Sequence, residues 1–169
     1  MNEINTVTLT PKQFQQRILA WFKIYGRKDL PWQQTKSPYR IWLSEIMLQQ
    51  TQVATVIPYF QNFIQAFPTL SSLAKADIEE VLHRWSGLGY YARARNLHRS
   101  AQIIEKEYFG KFPQDLMQLQ SLPGIGRTTA GAILALAFNK SASILDGNVK
   151  RVLTRVHAIP GSTALASVN

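Results

Sequence analysis

The chain has 169 residues, with 19 Lys and Arg against 10 Asp and Glu, a formal net charge of +9, and no cysteine. A hydrophobic content of 46% argues against disorder and suits one domain of about 150 residues, or one domain plus part of a second. The missing cysteine excludes a disulfide framework and a thiolate metal site within this chain. The basic excess favours an acidic partner, either nucleic acid or an anionic surface.

The hydrophobic pattern predicts helices along the whole chain and no strand, so we expect an all-α fold. Helix-start signals of a hydroxyl residue followed by proline occur at Thr10-Pro11 and Ser37-Pro38, and Asp77 with Glu80 predicts a capping box. The predicted helices cover approximately residues 11–25, 39–49, 52–67, 77–85, 92–109, 114–119, 127–138 and 147–158. Since no signal peptide and no run of about 18 apolar residues is present, we expect a cytoplasmic protein without membrane contact.

The segment Leu122–Gly126 separates two predicted helices and contains two glycines, Gly124 and Gly126. Such a turn exposes successive backbone N–H groups at the start of the next helix, where the helix dipole favours an anion. Arg127 follows directly and adds positive charge. This pattern predicts a helix–hairpin–helix that grips a DNA phosphate without reading sequence. The alternative is an ordinary tight turn between helices, in which glycine is also common.

Two carboxylates are candidates for chemistry. Glu45 is the only charged residue between Ile41 and Ala74, and apolar surroundings raise the pKa of a carboxyl, which then suits a general acid. A surface glutamate on a polar helix face is the alternative. Asp146 precedes the last predicted helix, where it suits an N-cap whose backbone hydrogen bonds keep it ionised. One protonated and one ionised carboxylate is the pairing that glycoside cleavage uses.

Basic residues lie in the stretch 81–104, which contains no acidic residue, and line the last helix, and tyrosines lie among the first group. Such interleaving suits a phosphate track with rings that stack on bases, although a solvated helix face is the simpler explanation of any single run. The basic residues are Arg84, Arg93, Arg95 and Arg99 near Tyr90 and Tyr91, then Lys150, Arg151 and Arg155.

Several motifs together resemble the MutY-type adenine DNA glycosylases of the helix–hairpin–helix superfamily that also contains endonuclease III. The resemblance covers residues 14–160 and includes a glutamate, Glu45, that endonuclease III lacks at this position. It rests on the segments Leu30–Trp32, Trp42–Val53, Gly87–Leu97, Leu122–Gly126 and Ile144–Val152. The resemblance implies a six-helix domain over residues 27–140, with the helix–hairpin–helix at 114–138. Residues 1–26 and 141–169 would then form part of a cluster-type helical domain.

The resemblance also implies roles for individual residues. Glu45 would protonate the departing adenine and then handle the water, while Asp146 would stabilise an oxocarbenium-like sugar. Gln50 and Tyr90 would enter the base stack as adenine flips out. Arg27, Leu30 and Trp32 would line the adenine pocket. The remaining substrate-binding and DNA-binding residues would be Gln49, Leu122, Gly124, Gly126, Arg127, Thr128, Asn148 and Lys150.

Thr128 occupies the position where bifunctional relatives place a lysine that attacks the sugar, so we expect base removal without efficient strand cleavage. The implied substrate is double-stranded DNA with adenine opposite 8-oxoguanine or guanine, bound by a monomer at the nucleoid of a bacterial-type cell. Two alternatives stay open: an inactive DNA-binding remnant, and an endonuclease-III-like lyase acting on oxidised pyrimidines.

The full-length family carries a four-iron four-sulfur cluster held by four cysteines, and this chain has none. We therefore expect no cofactor bound by this chain and interpret it as truncated before the cluster cysteines. The residues after Gly161 do not resemble the family. Without the rest of the cluster domain, apolar side chains of the flanking helices are expected to be exposed, namely those of Phe14, Trp21, Val152 and Val156.

Overall fold

The computed structural model describes residues 9–159, and this part of the chain is helical without any strand. In chain order the helices are α1 (Pro11–Tyr25), α2 (Pro38–Met47), α3 (Val53–Ala66), α4 (Leu70–Lys75), α5 (Ile78–Trp85), α6 (Ala92–Glu107), α7 (Leu116–Gln120), α8 (Arg127–Phe138) and α9 (Gly147–Val156). The predicted all-α fold is confirmed. None of these helices, within residues 9–159, has the length and apolarity that a membrane crossing needs.

Local sequence signals begin the helices where the pattern predicts them. The Thr10 hydroxyl accepts from the Gln13 amide at 3.3 Å, and the Gln13 side chain accepts from the Thr10 amide at 3.0 Å, which completes a capping box. Ser37 caps α2, where Pro38 occupies the first helical position. Helix α8 has the predicted limits, Arg127 to Phe138.

Apart from shifts of one or two residues at the ends of other helices, the structure departs from the predicted elements in three places. Helix α4 was not predicted, because six residues are too few to show a hydrophobic period, although Thr69 and Ser72 form a capping box at its start. Asp77 caps α5 by accepting from the Glu79 amide at 2.7 Å, in place of the predicted reciprocal box. Helix α2 ends at Met47 instead of residue 49, since the chain turns through a left-handed Gln50.

The described residues divide into two units, of which the larger, Leu30–Leu145, contains the hydrophobic core. Helix α2 is the most buried element, with seven of its ten residues inside. Aromatic side chains fill the space around it in edge-on pairs, for example Trp42 with Phe112 and Phe63 with Trp85. A helix buried on nearly all sides has little freedom to rotate, so the positions of its few accessible side chains are well determined.

The second unit contains α1 and α9, and neither helix has a buried residue among those described. The expected exposure is confirmed for Trp21, Val152 and Val156, which are 57%, 43% and 40% exposed, whereas Phe14 is half-buried. The two helices enclose an apolar groove of about 310 Å³. Its lining residues are Phe14, Ile18, Asn148, Val149, Val152 and Leu153.

Candidate functional site

A cavity of about 310 Å³ lies beside Glu45 in the larger unit. The segment before α2, α2 itself and α8 supply its lining: Trp32, Gln33, Thr35, Lys36, Ile41, Ser44, Glu45 and Leu136. Trp32 is 7% exposed and packs edge-on against Phe60, with 5.4 Å between ring centroids. The cavity therefore combines a fixed aromatic wall with one carboxylate and one ammonium group, a mixture typical of small-ligand sites.

The packing of α2 places the Glu45 side chain at this cavity. The residues on either side of it, Ser44 and Ile46, are 1% and 2% exposed, and the Ser44 hydroxyl donates to the Ile41 carbonyl at 2.8 Å. Because its neighbours are buried against the core, the helix cannot turn Glu45 fully toward solvent. Glu45 is half-buried, so it is neither enclosed by apolar side chains nor fully exposed on a polar helix face, the two environments that the sequence allows.

The predicted base-pocket residues have different surroundings. Trp32 lies in the cavity lining together with Glu45. Leu30 is half-buried against the core, and its amide donates to the Gln33 side chain at 3.2 Å. Arg27 is exposed and belongs to the other unit.

Several lining residues were missed by the sequence analysis. Leu136 is 53% exposed and lies far from Glu45 in sequence, so only the packing of α8 on α2 brings it to the cavity. Lys36 directly precedes the α2 cap, where a lysine carries no signal beyond that of a surface residue.

Asp146 is the N-cap of α9, as predicted, and its Oδ1 accepts from the Val149 amide at 2.7 Å. The side chain is half-buried. Asn148 is exposed and Lys150 half-buried on the same helix. Asp146 belongs to the smaller unit and Glu45 to the larger, and the catalytic roles implied for both stay predictions.

The turn between α7 and α8 contains buried apolar side chains and an exposed tip. Leu122 and Ile125 are 3% and 4% exposed, so the Leu122 side chain anchors the hairpin in the core and does not face solvent. Gly124, Gly126 and Arg127 are exposed. Gly124 has a φ of +77°, which side-chain-bearing residues rarely adopt. The tip therefore presents the first amides of α8 to solvent, which is the geometry an anion needs.

A methyl group in place of the Gly126 hydrogen would meet no atom within 4 Å. The space in front of the α8 N-terminus is thus open to a ligand. Thr128, at the second position of α8, is half-buried and carries no amine.

Two turns next to α2 and α6 carry the predicted wedge residues. Gln50 and Tyr90 are exposed, Tyr90 by 62%, and both have left-handed backbones with φ of 57° and 50°. Gln49 is half-buried, and its Nε2 donates to the Thr129 hydroxyl of α8 at 3.5 Å. The turn after α2 is thereby linked to the helix that follows the hairpin.

The prediction that Arg93 belongs to a solvent-facing phosphate track is wrong. The basic run predicts for Arg93 the same solvent-facing position as for Arg84, Arg95 and Arg99, which are exposed. The Arg93 side chain is instead half-buried and donates to protein carbonyls. Burial lowers the pKa of Arg93 from its ordinary value, and the nearby Tyr90 partly offsets this. The periodicity of a basic run cannot distinguish an arginine that faces solvent from one that binds backbone.

The residues present do not fit an iron–sulfur cluster. Such clusters are held by Cys thiolates, and the chain has no cysteine. Within residues 9–159, no group of three or more His, Asp or Glu side chains is placed to hold a metal ion.

The chain matches the family described as HhH-GPD superfamily base excision DNA repair protein over residues 43–167, so the similarity continues past Gly161, where the sequence analysis expects it to end. The residues after 159 lie outside the part of the chain that the structure describes. An adenine DNA glycosylase of Buchnera aphidicola subsp. Baizongia pistaciae is 52% identical over 151 residues, which cover 89% of this chain and 43% of that protein. The human adenine DNA glycosylase is 45% identical over 165 residues, which cover 90% of this chain and 30% of that protein. The chain thus spans less than half the length of these relatives.

Solved structures show the same fold. A thermostable thymine-DNA glycosylase superposes with a TM-score of 0.79 at 30% identity, over 85% of this chain and 66% of that one. An endonuclease III in a non-covalent DNA complex superposes with a TM-score of 0.76 at 23% identity, over 92% of this chain and 74% of that one.

Proposed function

Since the chain belongs to the HhH-GPD superfamily of base excision DNA repair proteins, we propose that it carries the catalytic core of an adenine DNA glycosylase. It hydrolyses the N-glycosidic bond of adenine paired with 8-oxoguanine or guanine in double-stranded DNA. The observation that carries this proposal is the cavity lined by Glu45 and Trp32, since a half-buried glutamate and an aromatic ring in one cavity suit acid catalysis on a flat base. The adenine DNA glycosylases among its relatives support the choice of base.

The Glu45 carboxyl acts as the general acid. It gives its proton to a ring nitrogen of the extruded adenine, the bond between the base and C1′ of the sugar breaks, and adenine leaves as a neutral molecule. A water then adds to C1′ and returns a proton to the Glu45 carboxylate, so the catalyst is restored. General acid–base catalysis of this kind contributes about 10²–10⁴-fold to rate.

Asp146 stabilises the positive charge that develops on the sugar. Its carboxylate accepts from the Val149 amide and caps α9, which fixes the position of the side chain. Electrostatic stabilisation of a developing charge works best from a group whose position is already fixed. The helix cap and the catalytic role therefore use the same property of this side chain.

The hairpin and the two turns hold the DNA. The open α8 N-terminus at Gly126 and Arg127 binds a backbone phosphate through amide hydrogen bonds and charge. Gln50 and Tyr90 enter the stack where the adenine leaves it. The net charge of +9 adds general attraction to the phosphate backbone.

The test is an assay on a duplex with one A:8-oxoguanine pair, followed by alkali, which cuts the strand wherever a base has been lost. We expect alkali-dependent cleavage that Glu45→Gln reduces by about 10²-fold or more, while the exposed Glu107→Gln keeps wild-type activity. Asp146→Asn should also lose activity without losing DNA affinity. Glu45→Gln activity equal to that of Glu107→Gln would refute the assigned acid.

The same assay separates the other readings of the sequence. Strand breaks before alkali would indicate a lyase, which Thr128 in place of an amine argues against. DNA binding without any abasic product, at enzyme excess, would indicate a binding module. We further propose that the chain acts as a monomer on chromosomal DNA, at the nucleoid in the cytoplasm of a bacterial cell.

A further inference from the structure

Three structural elements of the proposed DNA-binding surface contact one face of α6. Arg93, Asn96 and Ser100 lie at positions that recur on one side of a helix. Arg93 bonds to the turns that carry Gln50 and Tyr90, while Asn96 and Ser100 contact the hairpin. A single rigid helix therefore links the two turns to the phosphate-binding tip.

The Arg93 guanidinium donates hydrogen bonds to backbone carbonyls in both turns. One nitrogen donates to the carbonyls of Met47 at 2.9 Å and Gln49 at 2.5 Å, and the other donates to the carbonyl of Gly89 at 3.3 Å. Its centre also lies 5.4 Å from the Tyr90 ring centroid and 5.5 Å from that of Trp85. Only a planar, forked group can reach this many acceptors from one position.

The bonds fall next to the two strained residues. Gln49 and Gly89 directly precede Gln50 and Tyr90, the residues with left-handed backbones. Such a conformation costs about 1 kcal/mol or more in a residue with a side chain and persists only where the surroundings impose it. By holding the preceding peptide planes, Arg93 imposes it on both turns at once.

The hairpin has its own contacts on α6. The buried Ser100 hydroxyl donates to the Pro123 carbonyl at 2.8 Å, and a methyl group on Gly124 would lie 3.0 Å from Cβ of Asn96. The hairpin backbone is thus in close contact with the helix, one to two turns after Arg93.

We infer that Arg93 is a positioning residue that sets Gln50 and Tyr90 for base extrusion, and that Ser100 seats the phosphate-binding hairpin on the same helix. This inference rests on the proposed function. It assigns separate tasks to the two residues: Arg93 acts on the extrusion of the base, and Ser100 acts on the affinity for the backbone.

The experiment uses a duplex with 2-aminopurine at the adenine position, whose fluorescence rises when the base leaves the stack, and a second duplex with an abasic analogue there. Anisotropy of an end label reports binding. We expect Arg93→Lys, at saturating protein, to lower the unstacked fraction about tenfold, while its affinity for the abasic duplex changes by less than about threefold. Ser100→Ala should weaken binding to both duplexes and leave unstacking per bound complex unchanged.

Variants of Ile104, a fully buried residue near the end of α6, supply the stability control. Ile104→Val and Ile104→Ala bracket a range of melting temperatures without touching either turn, and they should keep the unstacking signal. Equal losses in Arg93→Lys and in an Ile104 variant of the same melting temperature would overturn the positioning role. A wild-type chain that neither binds nor unstacks would overturn the proposed function and this role together, whereas an active wild type beside an equally active Arg93→Lys overturns only the role of Arg93.

Discussion

Replacing the two hairpin glycines by alanine should affect different properties. At Gly124 the stability of the fold should fall, whereas at Gly126 the affinity for DNA should fall. Gly124 has a φ of +77°, and its added Cβ would lie 3.0 Å from Asn96. The left-handed backbone costs alanine about 1–2 kcal/mol, against a gain of about 0.4–1 kcal/mol from the less flexible unfolded chain. With the close contact included, we expect Gly124→Ala to lower the free energy of unfolding by about 1 kcal/mol.

Gly126→Ala should leave the fold almost unchanged. Its φ of −83° is ordinary, and no atom lies within 4 Å of the added methyl group. Alanine is a poorer N-cap than glycine by about 0.5–1 kcal/mol, and the loss of freedom in the unfolded chain offsets about the same amount. The net change in the free energy of unfolding should therefore stay within about 0.5 kcal/mol.

The affinity for DNA should fall more in Gly126→Ala than in Gly124→Ala. Gly126 is the N-cap of α8, so an added methyl group would crowd a phosphate at the first amides of the helix. One charged hydrogen bond contributes about 1.5–3 kcal/mol. We expect Gly126→Ala to bind a labelled duplex about tenfold more weakly, or worse, in fluorescence anisotropy at fixed salt. Urea unfolding followed by circular dichroism supplies the stability of both variants. Gly126→Ala binding as tightly as the wild type would refute the reasoning about the open hairpin tip, and a stability loss equal to that of Gly124→Ala would refute the steric argument.

Three further outcomes follow from burial. Burial raises the pKa of the Tyr39 phenol, so the unfolded chain loses this proton first, near pH 10, and the free energy of unfolding should fall as the pH rises above about 10. Tyr39→Phe should flatten this fall in urea titrations, at the cost of the bond to the Phe67 carbonyl; an unchanged slope would contradict the shift. Leu43→Ala should cost about 2–5 kcal/mol in the same assay because Leu43 is fully buried, whereas the half-exposed Leu136→Ala should cost little stability and lower base removal; equal stability losses would be inconsistent with the cavity wall. Trp21→Gln should change the free energy of unfolding by less than about 0.5 kcal/mol in the same assay, because the ring is exposed; a loss as large as that of Leu43→Ala would contradict this exposure.

The sequence alone predicted the helices where short-range chemistry decides the structure. The Thr10–Gln13 box, the Ser37 cap and the Asp146 cap all depend on residues within three positions of each other, and each forms. Helix α4 was missed because six residues show no hydrophobic period. The end of α2 was placed too late since nothing local reveals the left-handed Gln50.

The candidate site shows the same division. Glu45 and the hairpin glycines could be named from the sequence because their types and spacing are unusual, and Trp32 could be named from the resemblance to the adenine DNA glycosylases. The cavity wall at Leu136 and the bonds of Arg93 could not, since both join residues far apart in sequence. A run of basic residues is consistent with phosphate contacts or with backbone contacts, and only the packing of α6 against the end of α2 decides that Arg93 makes the latter. The sequence determines the chemistry of each side chain and the short-range spacing between residues. Which partner a side chain such as that of Arg93 binds depends on which distant backbone atoms the folded core brings within reach.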